Sequence, residues 1–311
     1  MVTSREAQAR LMQEVRPDQY MQGAIDLHYH SYPDMGMDVR MRVEDVEALQ
    51  GARDMGMRGM VLKSHLWPTT GQAYQLRQRV PGIEVWAGMT LDVTSGGLSP
   101  WAVEMGASQG VKVVWMPTWS SANDLPKASG FSAFMKVWFP SMVQYPVTPV
   151  AATDSAGHLL PQAKAVIRLC KELGIALSTG HLSATEGLLV AAEAEKVGLD
   201  RLIFGHPFSA SIGATREHMA EMARRGAYIE LTALNAFGEG DTMKAMAETV
   251  SEVGARMCIV STDCFRNWPP PPAEFLRMFI ARLLYLGVKG DEIRAMVQEN
   301  PARLLGLPPV S

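Results

Sequence analysis

Two histidines, separated by one residue, end an apolar segment near the start of the chain, residues 24–30. The segment predicts a buried β-strand, and side chains along a strand alternate between its two faces. His28 and His30 therefore point the same way, and two neutral imidazoles on one face make half of a transition-metal site. For this motif alone, a surface strand that carries two histidines without a metal remains the alternative.

Three further side chains with metal-binding chemistry end predicted strands later in the chain. They are His181, His206 and Asp263, at the ends of apolar segments 175–181, 202–206 and 257–263. With the first pair, they place four of the chain's seven histidines at strand ends. Packing alone does not account for this arrangement.

These segments belong to a pattern of eight short apolar strands that alternate with helices. The predicted strands are 24–30, 59–65, 84–91, 111–117, 175–181, 202–206, 227–232 and 257–263. Continuous apolar runs are typical of parallel strands buried on both faces, and a spacing of roughly 25–35 residues suits eight β/α units. The sequence predicts an α/β fold, one (β/α)8 TIM-like barrel over residues 1–311 with extra terminal helices. A doubly wound sheet is the alternative, disfavoured because no glycine-rich turn follows the first strand.

Two segments lie outside this repeat. Residues 1–22 predict a leading helix on the outside of the barrel. Residues 119–160 show no strong helix pattern and are rich in aromatic side chains, so they predict an insertion after strand four. We expect the insertion to form a lid, with Trp119, Trp138 and Phe139 shaping the pocket, because loops after barrel strands lie on the catalytic side. A subunit contact is the alternative.

The barrel prediction brings the candidate ligands together. The carboxyl ends of all eight strands meet at one mouth of such a barrel, where active sites lie. His28, His30, His181, His206 and Asp263 would converge there and form a shared metal site.

The motifs that carry these residues resemble the amidohydrolase superfamily of metal-dependent hydrolases. They are Asp26-Leu27-His28-Tyr29-His30, Thr179-Gly180-His181, Gly205-His206-Pro207, Ser261-Thr262-Asp263 and the closing segment 300–306. The resemblance implies that His28, His30 and Asp263 hold one metal. It also implies that His181 and His206 hold a second metal or the substrate, with catalytic roles for Asp263 and His206.

One position departs from the superfamily pattern. Members with two metals commonly carry a bridging carboxylated lysine or a glutamate at the end of strand four, where this chain has Trp115. Lys63 and His65 on strand two are the alternative source of a bridge. Otherwise Lys63 is a cation that binds substrate and His65 a hydrogen-bonding partner of a ligand.

Two further charged residues are candidates for the site. Glu230 would orient a ligand histidine if it faces inward, or form a salt bridge if it faces outward. Arg266 would bind an anionic group of the substrate, or lie solvated in its loop.

The chemistry that fits this set is metal-assisted hydrolysis of an amide, cyclic amide, lactone or ester by an amidohydrolase-like enzyme. We expect one or two divalent ions, zinc first, with manganese, iron or nickel as alternatives. A one-metal non-oxidative decarboxylase or carbon–carbon hydrolase of aromatic acids is the second hypothesis. A non-catalytic binding barrel is the third.

Composition limits the partners and the compartment. The formal net charge is -3 with no basic tail, so we expect a small-molecule substrate and neither nucleic acid nor membrane as partner. Cys170, Cys258 and Cys264 lack disulfide or metal spacing, which favours the reducing cytoplasm. No signal peptide or membrane span is predicted. We also expect a homo-oligomer.

Overall fold

The computed structural model describes residues 15–127, 131–238 and 241–308 and contains one eight-stranded parallel sheet. Each strand pairs in parallel with the next one in sequence. The strands are β1 Ile25–His30, β2 Gly59–Lys63, β3 Glu84–Thr90, β4 Val111–Trp115, β5 Ala176–Ser178, β6 Leu202–Phe204, β7 Tyr228–Thr232 and β8 Cys258–Ser261. The predicted (β/α)8 TIM-like barrel is confirmed.

The sheet nearly closes on itself between its first and last strands. The backbone N–H of Asp263 donates to the carbonyl of His28 at 2.8 Å, and that of His30 donates to Cys264 at 3.3 Å. The carboxylate of Asp26 accepts from the backbone N–H of Thr262 at 3.1 Å and from its hydroxyl. These bonds fix the end of β8 beside β1, so residues far apart in sequence share one side of the mouth.

Helices connect the strands and cover the outside of the barrel. They are Asp45–Asp54, Thr70–Arg79, Pro100–Ser108, Phe131–Trp138, Ser141–Gln144, Pro161–Leu173, Ala184–Val197, Arg216–Arg224, Ala233–Ala236, Thr242–Val253, Pro272–Tyr285, Gly290–Arg294 and Asn300–Leu305. The last two flank a π-helical turn, Ala295–Glu299, where one continuous helix was predicted. In the described part of the chain, no helix combines the length and apolarity needed to cross a membrane.

The insertion differs from the sequence prediction. Residues 119–160 show no strong helix pattern in the sequence, yet Phe131–Trp138 and Ser141–Gln144 are helical. Helices this short do not span enough turns to produce a clear 3.6-residue period in the sequence. Most of the predicted leading helix falls on residues 1–14, outside the described residues, and the remainder holds a single 3₁₀ turn, Asp18–Tyr20.

Apolar side chains fill the barrel below the mouth. This interior cluster takes at least one side chain from every strand, and the final helix packs against it. Its strand members are Ile25, Leu27, Val61, Trp86, Val113, Trp115, Ala176, Ile203, Tyr228 and Ile259. A larger apolar cluster lies between the strands and the helices. The strands are thus buried on both faces, which explains their continuous apolar sequences.

Candidate metal centre

A β-bulge turns the first two histidines into the barrel. The pairing of β1 with β2 shifts register between Asp26 and Tyr29, so β1 carries one more residue than its partner there. Leu27 packs in the interior cluster, yet His28 and His30 also reach the barrel interior, while Tyr29 packs outward. A bulge re-aims side chains in this way and is common beside active sites.

The two histidines meet Asp263 at the mouth. Nε2 of His28 lies 3.1 Å from Oδ1 of Asp263, and Nε2 of His30 lies 3.2 Å from the same oxygen. All three side chains are buried. Four-coordinate zinc with ligand bonds of ~2.0–2.1 Å needs ligand atoms about 3.3 Å apart, so the spacing of these atoms suits such an ion.

Two carboxylates hold the opposite nitrogens of these imidazoles. Nδ1 of His28 lies 2.8 Å from Oε1 of Glu230, and Nδ1 of His30 lies 2.9 Å from Oδ2 of Asp34. A carboxylate can only accept here, so each Nδ1 carries the proton and each Nε2 presents a lone pair. Carboxylate–histidine pairs of this kind orient metal ligands. Glu230 therefore faces inward, as the first of its two alternatives required.

Charge is concentrated around His28. Burial lowers the pKa of His28, but Asp263 and Glu230 outweigh this effect and raise it to about 9. Burial raises the pKa of Asp263, but His28 and His30 hold it well below its usual range. Two buried carboxylates therefore flank this one ring, and a bound cation at Nε2 would take the place of the proton that they favour there.

His206 and His181 extend the cluster across the mouth. Nε2 of His206 lies 3.6 Å from Oδ2 of Asp263, and the rings of His206 and His181 are 4.8 Å apart. Burial lowers the pKa of His206 well below its usual value, so this imidazole is neutral. Beyond them, Nδ1 of His181 lies 3.7 Å from Oδ2 of Asp124, a buried carboxylate of the insertion.

Backbone turns after the strands aim these side chains. His206 and Asp263 adopt left-handed conformations, with φ of 53° and 51°. Residues other than glycine rarely adopt such values, and they cluster at functional sites. Gly180 also has a positive φ, 56°, and a side chain there would overlap the carbonyl oxygen of Met116. The predicted strands included His181, His206 and Asp263. In the structure these residues lie in the turns just beyond β5, β6 and β8.

Lys63 ends β2 and reaches the centre of the cluster. Its Nζ lies 2.8 Å from Nε2 of His28 and 5.3 Å from the ring centroid of Trp115. The side chain is fully buried, and burial lowers the pKa of its amine, although Asp263 and Glu230 oppose this effect.

His65 lies two residues beyond β2 and joins the cluster through Asp34. The backbone N–H of His65 donates to Oδ1 of Asp34 at 2.6 Å, and its Nδ1 meets Oδ2, the oxygen shared with His30. Its ring stacks on that of His30 at 4.2 Å and on that of Phe131 at 4.1 Å. Burial lowers the pKa of His65 to about 3, which keeps the ring neutral.

The first part of the insertion is bonded to the site. The indole N–H of Trp119 donates to the carbonyl of His65 at 2.9 Å. Ser121 and Asn123 both donate to the carbonyl of His181, at 3.1 and 2.9 Å. These bonds fix the segments that carry two candidate ligands.

A cavity of about 510 Å³ opens above the cluster. Its lining combines candidate ligands, apolar side chains and one arginine. The lining residues are His65, Asp124, Phe131, Ala133, Phe134, Val137, His181, His206, Ser209, Ser211, Leu234, Asn235, Asp263, Phe265 and Arg266. A larger cavity of about 790 Å³ lies elsewhere, beside Gln22, Arg58 and Pro308, and contains none of the candidate ligands.

Every site residue singled out in the sequence lies at this mouth. Asp263 contacts His28, His30 and His206. His28 also contacts Glu230 and Lys63. The ring of His65 stacks on that of His30, and the ring of His181 packs against that of His206. Arg266 lines the cavity wall and is half-buried, not solvated. Of the insertion's aromatic residues, Phe131 and Phe134 line the cavity in place of Trp119, Trp138 and Phe139.

Sequence reasoning missed Asp34 and Asp124, which lie in loops and carry no strand-end signal. For Asp34, the only signal in the sequence is its position four residues after His30. Asp124 is an acid within a polar stretch of the insertion, and nothing in that stretch indicates its proximity to His181.

Buried polar atoms without partners mark the site. Among the described residues, eight buried side-chain atoms lack a hydrogen-bond partner, and seven of them lie in this cluster. They are His30 Nε2, Asp124 Oδ1 and Oδ2, His181 Nδ1, His206 Nδ1, Glu230 Oε2 and Asp263 Oδ1. Leaving such atoms unpaired is costly, and a bound cation would satisfy several of them at once.

Among the described residues, three sets bring candidate ligand atoms within 4.8 Å of one another. They are His28, His30 and Asp263; His28, His206 and Glu230; and His30, Asp34 and His65. The first set fits best, since Asp34 and Glu230 already hold the histidine protons of the other two.

Solved structures share this architecture. An amidohydrolase from Pseudomonas aeruginosa superposes with a TM-score of 0.61 at 12% identity, covering 93% of this chain and 98% of its own. The probable dipeptidase PvdM of the same organism gives 0.65 at 13%, covering 93% and 96%. A mutant organophosphorus hydrolase from Deinococcus radiodurans gives 0.56 at 16%, covering 95% and 96%. These are amidohydrolase-superfamily members, so the predicted resemblance is confirmed, and at such low identity it establishes the fold.

Sequence comparison identifies a family for this chain but no curated relative. No curated protein matches the chain significantly. A family model described as a family of unknown function, DUF6282, matches residues 23–230, which contain β1 to β6 and most of β7. The matched region holds four of the five candidate ligands, all except Asp263 on the segment after β8. The chain belongs to the DUF6282 family.

Proposed function

We propose that this protein is a metal-dependent hydrolase in which His28, His30 and Asp263 bind a divalent ion. Zinc is the ion that we propose first. The observation that carries the proposal is the convergence of two imidazole Nε2 atoms on Oδ1 of Asp263, at 3.1 and 3.2 Å. The opposite nitrogens are held by Glu230 and Asp34, which leaves both lone pairs directed at the same point. The hydrolase names of the structural neighbours support the same reaction class.

The residues around this point have distinct tasks in hydrolysis. A bound divalent ion supplies Lewis acidity, which acidifies water and polarises a carbonyl or phosphoryl oxygen. Asp263 is ionised, so it accepts the proton of the attacking water and delivers it to the leaving group. His206 is neutral and lies beside Oδ2 of Asp263, where it orients the substrate's carbonyl group.

The proposed substrates contain an amide, cyclic amide, lactone or ester bond. The test begins with metal content, measured by inorganic mass spectrometry on the wild type and on a His28→Ala/His30→Ala double variant. We expect the wild type to retain zinc and the double variant to lose it, because two ligands are removed. His158→Ala is the matched control, since His158 is an exposed loop histidine that pairs with Asp154. A panel of the four bond types on zinc-loaded protein then identifies the reaction. Full metal occupancy in the double variant would reject the site.

One observation favours a second activity, non-oxidative decarboxylation of an aromatic acid. Three phenylalanines and an arginine form one wall of the cavity, Phe131, Phe134, Phe265 and Arg266. Release of carbon dioxide from aromatic carboxylates, without turnover of any amide, lactone or ester, would assign this activity in place of hydrolysis.

A further inference from the structure

The aromatic and cationic wall of the cavity has no part in the hydrolytic step. Phe131, Phe134, Phe265 and Arg266 line the cavity on the side of His65. Phe131 and Phe265 pack edge to face at 5.5 Å, and Phe131 and Phe134 lie 5.6 Å apart. The wall therefore presents a continuous apolar surface that ends in a positive charge.

Arg266 has its hydrogen-bonding capacity unused. Its guanidinium lies 4.9 Å from the ring centroid of Phe265 and 5.1 Å from that of Phe134. Within residues 15–127, 131–238 and 241–308 it makes neither a hydrogen bond nor an ion pair, whereas Arg277 has Glu274 as a partner. A guanidinium carries five N–H donors. Half-buried donors at a cavity without a protein acceptor are placed to bind an acceptor on a ligand.

The wall also sets the distance between this charge and the candidate metal ligands. The Phe265 ring lies 5.1 Å from the ring of His30, and Arg266 lies against the same phenylalanine. One aromatic ring thus separates the guanidinium from a candidate ligand. A ligand that reaches both points needs an apolar body about as long as a phenyl group with a short chain.

We propose that Arg266 binds the carboxylate of an arylalkanoate-type substrate, whose aromatic body lies along Phe131, Phe134 and Phe265. The planar fork of arginine donates two parallel hydrogen bonds to a carboxylate, which gives the pair its orientation. This inference rests on the proposed function for the scissile bond, which lies at the metal-facing end of the substrate.

The test measures binding, not turnover. Isothermal titration calorimetry on the zinc-loaded full chain compares 3-phenylpropanoate with 3-phenylpropan-1-ol, its neutral analogue. We expect the carboxylate to bind more tightly than the alcohol. Arg266→Gln should weaken 3-phenylpropanoate binding by roughly 10- to 100-fold, because a charge-assisted bidentate pair is lost, and should leave the alcohol unaffected. Arg266→Lys keeps the charge and loses the fork, so we expect an intermediate affinity.

Two control variants separate charge from packing. Arg282→Gln removes an exposed arginine that also lies over an aromatic ring, that of Tyr285, and should change nothing. Phe134→Ala should weaken the acid and the alcohol alike, because both use the apolar wall. Equal losses of acid and alcohol in Arg266→Gln, or unchanged acid binding in it, would overturn the proposal. A protein that binds the acid through Arg266 but hydrolyses nothing would reject the proposed function alone.

Discussion

The amine of Lys63 lies 2.8 Å from Nε2 of His28, the nitrogen that also faces Oδ1 of Asp263. An ammonium cannot donate to this nitrogen while the same lone pair binds an ion. Lys63 and a divalent ion therefore compete for His28, unless the amine reacts with carbon dioxide to form a carbamate that bridges two ions. The two cases differ in the number of ions bound per chain.

Lys63→Met distinguishes the competing cation from the bridge. We expect the number of zinc ions per chain to stay unchanged and the apparent affinity for zinc to rise, because a competing positive charge is removed. Chelator competition and inorganic mass spectrometry supply both values. Loss of about one ion per chain, with partial rescue by short carboxylic acids, would contradict this expectation and identify the carbamate.

Asp263→Asn separates metal binding from proton transfer. The amide still offers one oxygen to an ion but cannot accept a proton. We expect zinc to be retained and kcat to fall by roughly two to four orders of magnitude, the usual contribution of a positioned acid–base group. A near-normal kcat would transfer the role of base to another group, and Glu230 would be the next to test.

Asp34→Asn tests a residue that binds no metal in our assignment. Oδ2 of Asp34 accepts from Nδ1 of both His30 and His65. An amide nitrogen in its place would make His30 accept at Nδ1, which moves the proton to the metal-facing Nε2. We expect zinc affinity to fall by roughly 10- to 100-fold, measured by chelator competition. Asp154→Asn alters an exposed aspartate that pairs with His158 and should leave the affinity unchanged.

The barrel and the candidate ligands could be predicted because both depend on local patterns. Apolar runs at regular spacing define the strands, and the topology then brings their ends to one mouth whatever the loop lengths. His28 and Asp263 could thus be paired across most of the chain.

What the sequence could not predict depends on contacts between loops. The bulge in β1, the approach of Asp124 to His181 and the bonds of Asp34 arise from tertiary packing, which leaves no period in the sequence. The choice between the inward and outward orientations of Glu230 has the same origin. A shift of the strand by one residue would turn Glu230 to the other face, and residues 228–232 alone do not specify which register β7 adopts.

Phe131→Leu tests the observed cavity wall against the predicted one. The ring of Phe131 stacks on His65 at 4.1 Å with 10° between the planes, whereas Trp138 is 41% exposed and lines no part of the cavity. We expect Phe131→Leu to raise KM for aromatic substrates at constant zinc content, and Trp138→Leu to leave KM unchanged. If instead Trp138→Leu changes only the mass in solution, the exposed face of this helix is a subunit contact, as the alternative hypothesis for the insertion requires.

Asp45→Asn tests a buried carboxyl group that supports the site from outside the barrel. Oδ1 of Asp45 accepts from the hydroxyl of Tyr29 at 3.0 Å and from the backbone N–H of Tyr32 at 2.9 Å, and an asparagine oxygen can accept both. Burial raises the pKa of Asp45 from its usual 3.8 to about 6. Between these two values the folded state holds a proton that the unfolded state has released, so the free energy of unfolding falls as pH rises.

The free energy of unfolding should fall by about 3 kcal/mol over this pH interval, since each pKa unit corresponds to 1.36 kcal/mol. Asp45→Asn has no such proton, so the stability of the wild type relative to the variant should decline between pH 4 and 7. Urea unfolding of both proteins across this range measures the difference. Asp54→Asn is the control for changing an aspartate of the same helix to an amide, because Asp54 is exposed. A difference between wild type and Asp45→Asn that is independent of pH would mean that Asp45 is already ionised in the folded state at pH 4.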